Sequence, residues 1–215
     1  MADVTNDPMS VLLSSIRVVP RRNFLVAGTA LTAATSADIT PASAQQAPTA
    51  APAALAVPTE QDRIHMREAI ALMRRAGVVE KTGGPFGAVI VREGRVLASS
   101  GNSVLRDNDP SAHAEVNAIR LACRAVNSPN LRGATLYSSC EPCPMCYATA
   151  YWARVETIFY AAAWTDYTDL FDDSNINQDI AKPYPQRRVP LQQILQNEAQ
   201  DVWREFRATP GGARY

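Results

Sequence analysis

The sequence has no surplus of charge of either sign: Lys+Arg and Asp+Glu each number 21 among 215 residues. Proteins that hold nucleic acid through its phosphates normally carry a basic excess, so the balance argues against a nucleic-acid partner. Cysteine is scarce as well. There are four, and three of them fall within residues 140–146, a clustering that makes a disulfide framework an unsuitable reading. No apolar run approaches the ~20 residues a membrane-spanning helix needs, and no internal repeat is present, which removes stacked-repeat architectures. What remains is 47% hydrophobic and 20% charged residues, the balance of an ordinary globular chain with room for one domain plus extensions.

The first 44 residues do not pattern as part of a fold. Arg21-Arg22 precede Asn23-Phe24-Leu25 and an uncharged, Ala/Thr-rich run to Ala37, and Ala42-Ser43-Ala44 offers a small-residue cleavage site. The stretch resembles a twin-arginine export signal, which implies a periplasmic or secreted mature protein, the alternative being a cytoplasmic one. No cysteine follows the run, so a lipid anchor is not indicated. Residues 45–58, rich in Ala with Pro48, Pro52 and Pro58, read as an extended tether. That leaves 59–215 as the folded domain.

Within it, Thr59 can cap a helix whose third residue is Asp62. Ile64, Met66, Ala69, Ile70 and Met73 recur near helical spacing, and Gly77 offers a stop. The runs 87–91 and 95–101 around Glu93-Gly94 predict a hairpin. A buried helix is expected from near Ser111, a third strand at 134–139, a helix from 143 to about Trp152 and a fourth strand at 155–162. Strand alternating with helix predicts an α/β fold with the sheet covered on both faces. Residues 165–190 read as irregular around Pro183, Pro185 and Pro190. A last helix is expected over 198–207, with Val202, Trp203 and Phe206 as its buried stripe.

The chemistry concentrates in two short segments, HAE at 113–115 and CEPCPMC at 140–146. Cys143 and Cys146 are three apart after Pro142, so a helix starting there turns both sulfurs to one side of its first turn, where the dipole favours anionic sulfur. A catalytic zinc ion takes imidazole and thiolate, keeping three protein ligands and one open position for water. His113, Cys143 and Cys146 fill that count, and Glu115 is left over as the proton carrier. The two segments together match the H-x-E and P-C-x-x-C signature of zinc nucleobase deaminases, in which the Glu is not a ligand. Asn102 is a candidate for reading a carbonyl or ring nitrogen, a turn asparagine being the alternative. Phe86, between Pro85 and Gly87, is a candidate apolar wall against a flat ring. Cys123 and Cys140 read as buried thiols.

Beyond that signature, GGPFGAVIV, NDPSAHAEVNAIR, LYSSCEPCPMC, YWAR, FYAA and FDDS follow one another in a way that resembles bacterial guanine deaminases of the cytidine deaminase fold, over about residues 60–215. The resemblance implies a three-layer α/β/α fold with a mixed sheet of about five strands, Zn2+ as cofactor, and hydrolysis of guanine to xanthine and ammonia. It implies that Glu115 shuttles protons and that an acid of the FDDS loop, Asp173 or its neighbour Asp172, helps the amine leave. It further implies that Asn102, Phe86 and the Ala114 backbone hold the purine, that Trp152 lies near the site, and that Tyr215 closes it. Such proteins are homodimers that exchange their carboxy-terminal segment, so Tyr215 would act on the partner's site. Guanosine, aminotriazines and cytosine stay open as substrates. A tRNA adenosine deaminase and a non-catalytic zinc-binding dimerisation module are the further alternatives.

Overall fold

A computed structural model describes residues 57–171 and 174–211. The export-signal reading, Asp172, Asp173 and Tyr215 therefore lie outside the described residues.

Helix α1 (Glu60–Arg74) begins as its sequence dictates. The Thr59 side chain accepts from the Asp62 N–H while Asp62 accepts from the Thr59 N–H at 2.7 Å, a reciprocal capping box. It does not stop at Gly77. The chain runs on through a wider turn, Arg75–Val79, and Gly77 is needed there for a different reason: a Cβ on it would lie 2.6 Å from Pro85. Strands β1 (Gly87–Arg92) and β2 (Arg95–Gly101) form the expected hairpin. Glu93 (φ 54°) and Gly94 (φ 72°) supply the paired positive dihedrals of a two-residue turn that matches strand twist.

A short helix, α2 (Val104–Asp107), follows. The buried helix then starts at Ala114, later than the sequence suggested: α3 spans Ala114–Ala125 with His113 as its N-cap. Ser111 is held out of it because the Asp109 carboxylate accepts both its N–H and its hydroxyl, at 2.8 and 2.7 Å, a side-chain turn that competes with helix. Strand β3 (Ala134–Cys140) leads into α4 (Pro144–Trp152), with Cys143 as N-cap and Pro144 at the first position, where its missing N–H costs nothing. Strand β4 (Thr157–Ala162) completes the sheet.

Among the described residues the sheet has four strands in the order β2-β1-β3-β4, with β1 antiparallel to both neighbours and β3 parallel to β4. It is mixed, as expected, with four strands against the expected about five. The segment after β4 forms a tight turn at Trp164–Asp166 and helix α5 (Ser174–Ala181) instead of adding a strand. Alternation along the strands divides the core. Ala88, Ile90 and Leu136 face Ala114, Ala118 and Ala122 of α3 and Ala150 of α4, and Val89, Val91 and Tyr137 face Ala69 of α1. Helices on both faces make three layers.

The last helix, α6 (Gln196–Ala208), forms as predicted. Its apolar stripe is not buried as expected: Val202 is 64% and Trp203 58% exposed and Phe206 is half-buried, since no described residue covers the first two. Among the described residues no helix is long and apolar enough to cross a membrane.

Candidate active site

The two helix starts converge. His113 caps α3 and Cys143 caps α4, and the chain enters α4 directly from the carboxyl end of β3, where clefts open in such sheets. His113 Nδ1 lies 3.6 Å from Cys143 Sγ and 3.5 Å from Cys146 Sγ, and the sulfurs are 3.5 Å apart. With zinc–sulfur bonds of about 2.3 Å and zinc–nitrogen of about 2.0–2.1 Å, a tetrahedral ion separates its ligands by about 3.6–3.8 Å. The three edges match this to a few tenths of an ångström, and the donor set of one imidazole and two thiols fits zinc. Among the described residues these are the group of His, Cys and acidic side chains close enough to share an ion. Cys140, one turn of chain away, is not in it; its thiol is buried and receives the Ser139 hydroxyl at 3.7 Å.

Electrostatics agree with thiolate ligation. The Cys146 thiol and His113 hydrogen-bond Cys143 and lower its pKa to about 4. The hydrogen bond to Cys143 first, then burial, raises Cys146. Zinc ligation requires both sulfurs as thiolates.

Glu115 sits in the first turn of α3, 4% exposed. Burial raises its carboxyl above the usual range, opposed by hydrogen bonds from its own backbone N–H and from Ser138. The Ser138 hydroxyl donates to Oε1 at 3.0 Å from β3.

His113, Cys143 and Glu115 line one wall of a cavity of about 580 Å3 whose other walls include Phe86, Asn102 and Gly83. Asn102 is buried, and its Oδ1 accepts the Val104 N–H at 3.1 Å while its backbone is tied to Phe86 and Thr82. With Oδ1 so held, the amide NH2 is the end with donor capacity for a ligand acceptor. Gly83 has no side chain because a Cβ there would fall 1.9 Å from Asn102 Oδ1. Ala114 is fully buried at the first position of α3, where helix N–H groups lack partners within the helix.

Trp152 is elsewhere: it is 62% exposed at the end of α4 and does not border this cavity. The aromatic residues that do are Phe86, Tyr167 and Phe171, their rings edge to face with Phe86 at 5.7 and 5.2 Å. Sequence reasoning missed Tyr167, Phe171 and Ser138. Only the loop's aromatic content pointed to the first two, and nothing local pointed to Ser138.

Comparison with known proteins agrees with this geometry. Residues 59–162 match the cytidine and deoxycytidylate deaminase zinc-binding region. Guanine deaminase of Bacillus subtilis is 48% identical over 134 residues, covering 60% of this chain and 86% of that protein. A tRNA-specific adenosine deaminase of Agrobacterium fabrum is 44% identical over 101 residues, covering 47% of this chain and 66% of that protein. The crystal structure of Bacillus subtilis guanine deaminase superposes with a TM-score of 0.68 at 42% identity, over 71% of this chain and 98% of that one. A zinc-ligand triad at two helix starts, a buried acid beside it and relatedness over nearly the whole length of a known deaminase have one explanation: this chain is a zinc-dependent enzyme belonging to the cytidine and deoxycytidylate deaminase family.

Proposed function

We propose that the protein hydrolyses guanine to xanthine and ammonia. The observation that carries the substrate is the 48% identity to a guanine deaminase across 86% of that protein's length. The cavity is consistent with it, since about 580 Å3 walled by Phe86, Tyr167 and Phe171 admits a flat heterocycle.

In this reading His113, Cys143 and Cys146 hold the ion. Zinc, when bound, supplies Lewis acidity that takes the pKa of a coordinated water from 15.7 to about 7. The chain's own residues do the rest. Asn102 and the first-turn N–H of Ala114 receive the acceptor edge of the purine, and Phe86 packs on its face. Glu115 takes the proton of the attacking water and passes it to the ring nitrogen beside the carbon bearing the amine. A second transfer protonates the amine, which leaves as ammonia, with Asp173 or Asp172 assisting. Proton transfer of this kind contributes roughly 10²–10⁴-fold. The test is release of xanthine and ammonia in equal amounts from guanine by the purified, zinc-loaded protein. Turnover of another amino-heterocycle in its place would retain the chemistry and remove the substrate.

Similarity to a tRNA-specific adenosine deaminase favours a second reading. The balanced charge opposes it, and a gel shift with tRNA at moderate salt separates the two. Two further readings belong with the first. The exposed Tyr147, Tyr151, Trp152 and Trp203 support a homodimer in which the carboxy-terminal segment crosses to the partner. Arg21-Arg22 and the run behind them support export, which replacing both arginines by Lys would block, leaving the protein in the cytoplasmic fraction.

A further inference from the structure

We infer that Ser138 is a positioning residue for the proton carrier: its hydroxyl anchors one oxygen of Glu115 and leaves the other to move protons. The inference rests on the deaminase reading above. Glu115 lines the cavity from the first turn of α3, and a glutamate there has three side-chain torsions to fix. Ser138 has one, and it stands on a strand flanked by partners on both sides, pairing with Ala88 of β1 and Tyr160 of β4. Both side chains are buried, Ser138 at 1% and Glu115 at 4% exposure, so water cannot substitute for the 3.0 Å bond between them. Ser138 also shares the face of β3 that meets α3, since its neighbour two residues back, Leu136, packs with Ala114 and Ala118. The sheet thus supplies a fixed donor from outside the helix, beside the glutamate's own backbone N–H. A catalytic group misplaced by about 1 Å loses up to 10²-fold in rate.

The test compares wild type, Ser138→Ala and Ser138→Thr, each zinc-loaded, for kcat, KM, zinc content and the orientation of Glu115 in crystal structures. Ser138→Ala is expected to lose about ten- to a hundred-fold in kcat, with KM within about two-fold and zinc retained, and to show the carboxylate displaced. Ser138→Thr, which keeps the hydroxyl, is expected to restore both the rate and the orientation. Wild-type turnover of guanine is measured first. If guanine is inert, the comparison is made on whichever amino-heterocycle the wild type deaminates, so failure of the substrate claim and failure of the positioning claim are separate results. The inference is overturned by a Ser138→Ala enzyme with wild-type kcat and an unmoved Glu115, by a loss that falls on KM or zinc content, or by a loss that folded Ser138→Thr does not recover.

Discussion

Gly83 and Asn102 lie close enough that the first has to be a glycine for the second to keep its place. The site therefore makes a prediction at a residue that performs no chemistry. In Gly83→Ala the new Cβ would fall 1.9 Å from Asn102 Oδ1, and the amide must swing off the Val104 N–H that orients it. Losing one oriented hydrogen bond to substrate costs about 1.4 kcal/mol, so KM should rise about ten-fold with kcat changed less. Steady-state kinetics checks this, and an unchanged KM would remove Asn102 from the substrate's contacts. At this scale the sequence was most informative where chemistry is packed into adjacent positions. His113, Glu115, Cys143 and Cys146 were legible because each pair shares one helix start. Tyr167 and Phe171 were not, because their place against Phe86 is made by a loop folding back across about eighty residues of chain, and no local spacing encodes that. Trp152, assigned by resemblance alone, lies on an exposed helix end.

Among the elements, β3 is held from both faces. On one side Ser138 reaches Glu115. On the other the Tyr137 hydroxyl donates to Asp62 Oδ1 of α1 at 2.5 Å, tying the sheet to the capping box that starts the helix. The Thr59 side chain first, then Tyr137, lowers Asp62 below 3.8. A lowered acid stabilises the fold above that value and loses its contribution as pH falls through the folded pKa. Burial first, then Asp62, raises Tyr137 above 10.0. A raised group of this kind stabilises fully below its unfolded value and loses its contribution as pH rises beyond it. This pair's share of the melting temperature, read as wild type minus Tyr137→Phe, should therefore hold between about pH 4 and 10 and fall on either side. Tyr137→Phe should weaken the acid limb and remove this group's share of the alkaline limb, and pH profiles identical to wild type would contradict the clamp. A harsher change is Gly87→Ala, whose Cβ would meet the Ala69 carbonyl at 2.1 Å and Met73 N at 2.5 Å. Forcing α1 off β1 in this way costs about 1–3 kcal/mol or more in denaturant unfolding.

The elements were legible where their signals are local. Thr59 with Asp62 announced α1, and Glu93-Gly94 announced the hairpin. Gly77 misled because its requirement comes from Pro85 across a fold-back, and the start of α3 moved because Asp109 captures Ser111. Neither competitor shows in helical periodicity.

For the whole molecule, alternating strands and helices gave the α/β class and the three layers, and the family resemblance gave the mixed sheet. Among the described residues the strand number is four because the chain after β4 turns to helix. Helix α6 was readable as a helix and its apolar stripe as a packing face, yet Val202 and Trp203 remain exposed. Periodicity identifies a face that wants covering and carries no information on which chain covers it. If a second copy does, sedimentation equilibrium should give twice the mass of the single chain, and Trp203→Glu, which places a charge in that stripe, should give the single mass. A monomeric wild type would contradict the dimer without touching the site.

The chemistry rests on three ligands that hold a metal and an acid that does not, so the decisive measurement is ammonia and xanthine release from guanine by zinc-loaded wild type and Glu115→Gln, with zinc counted in both. The account predicts one zinc per chain in each protein, turnover in the wild type, and a loss of about 10²–10⁴-fold in Glu115→Gln. Comparable turnover in the two proteins, or loss of zinc on replacing Glu115, would contradict it.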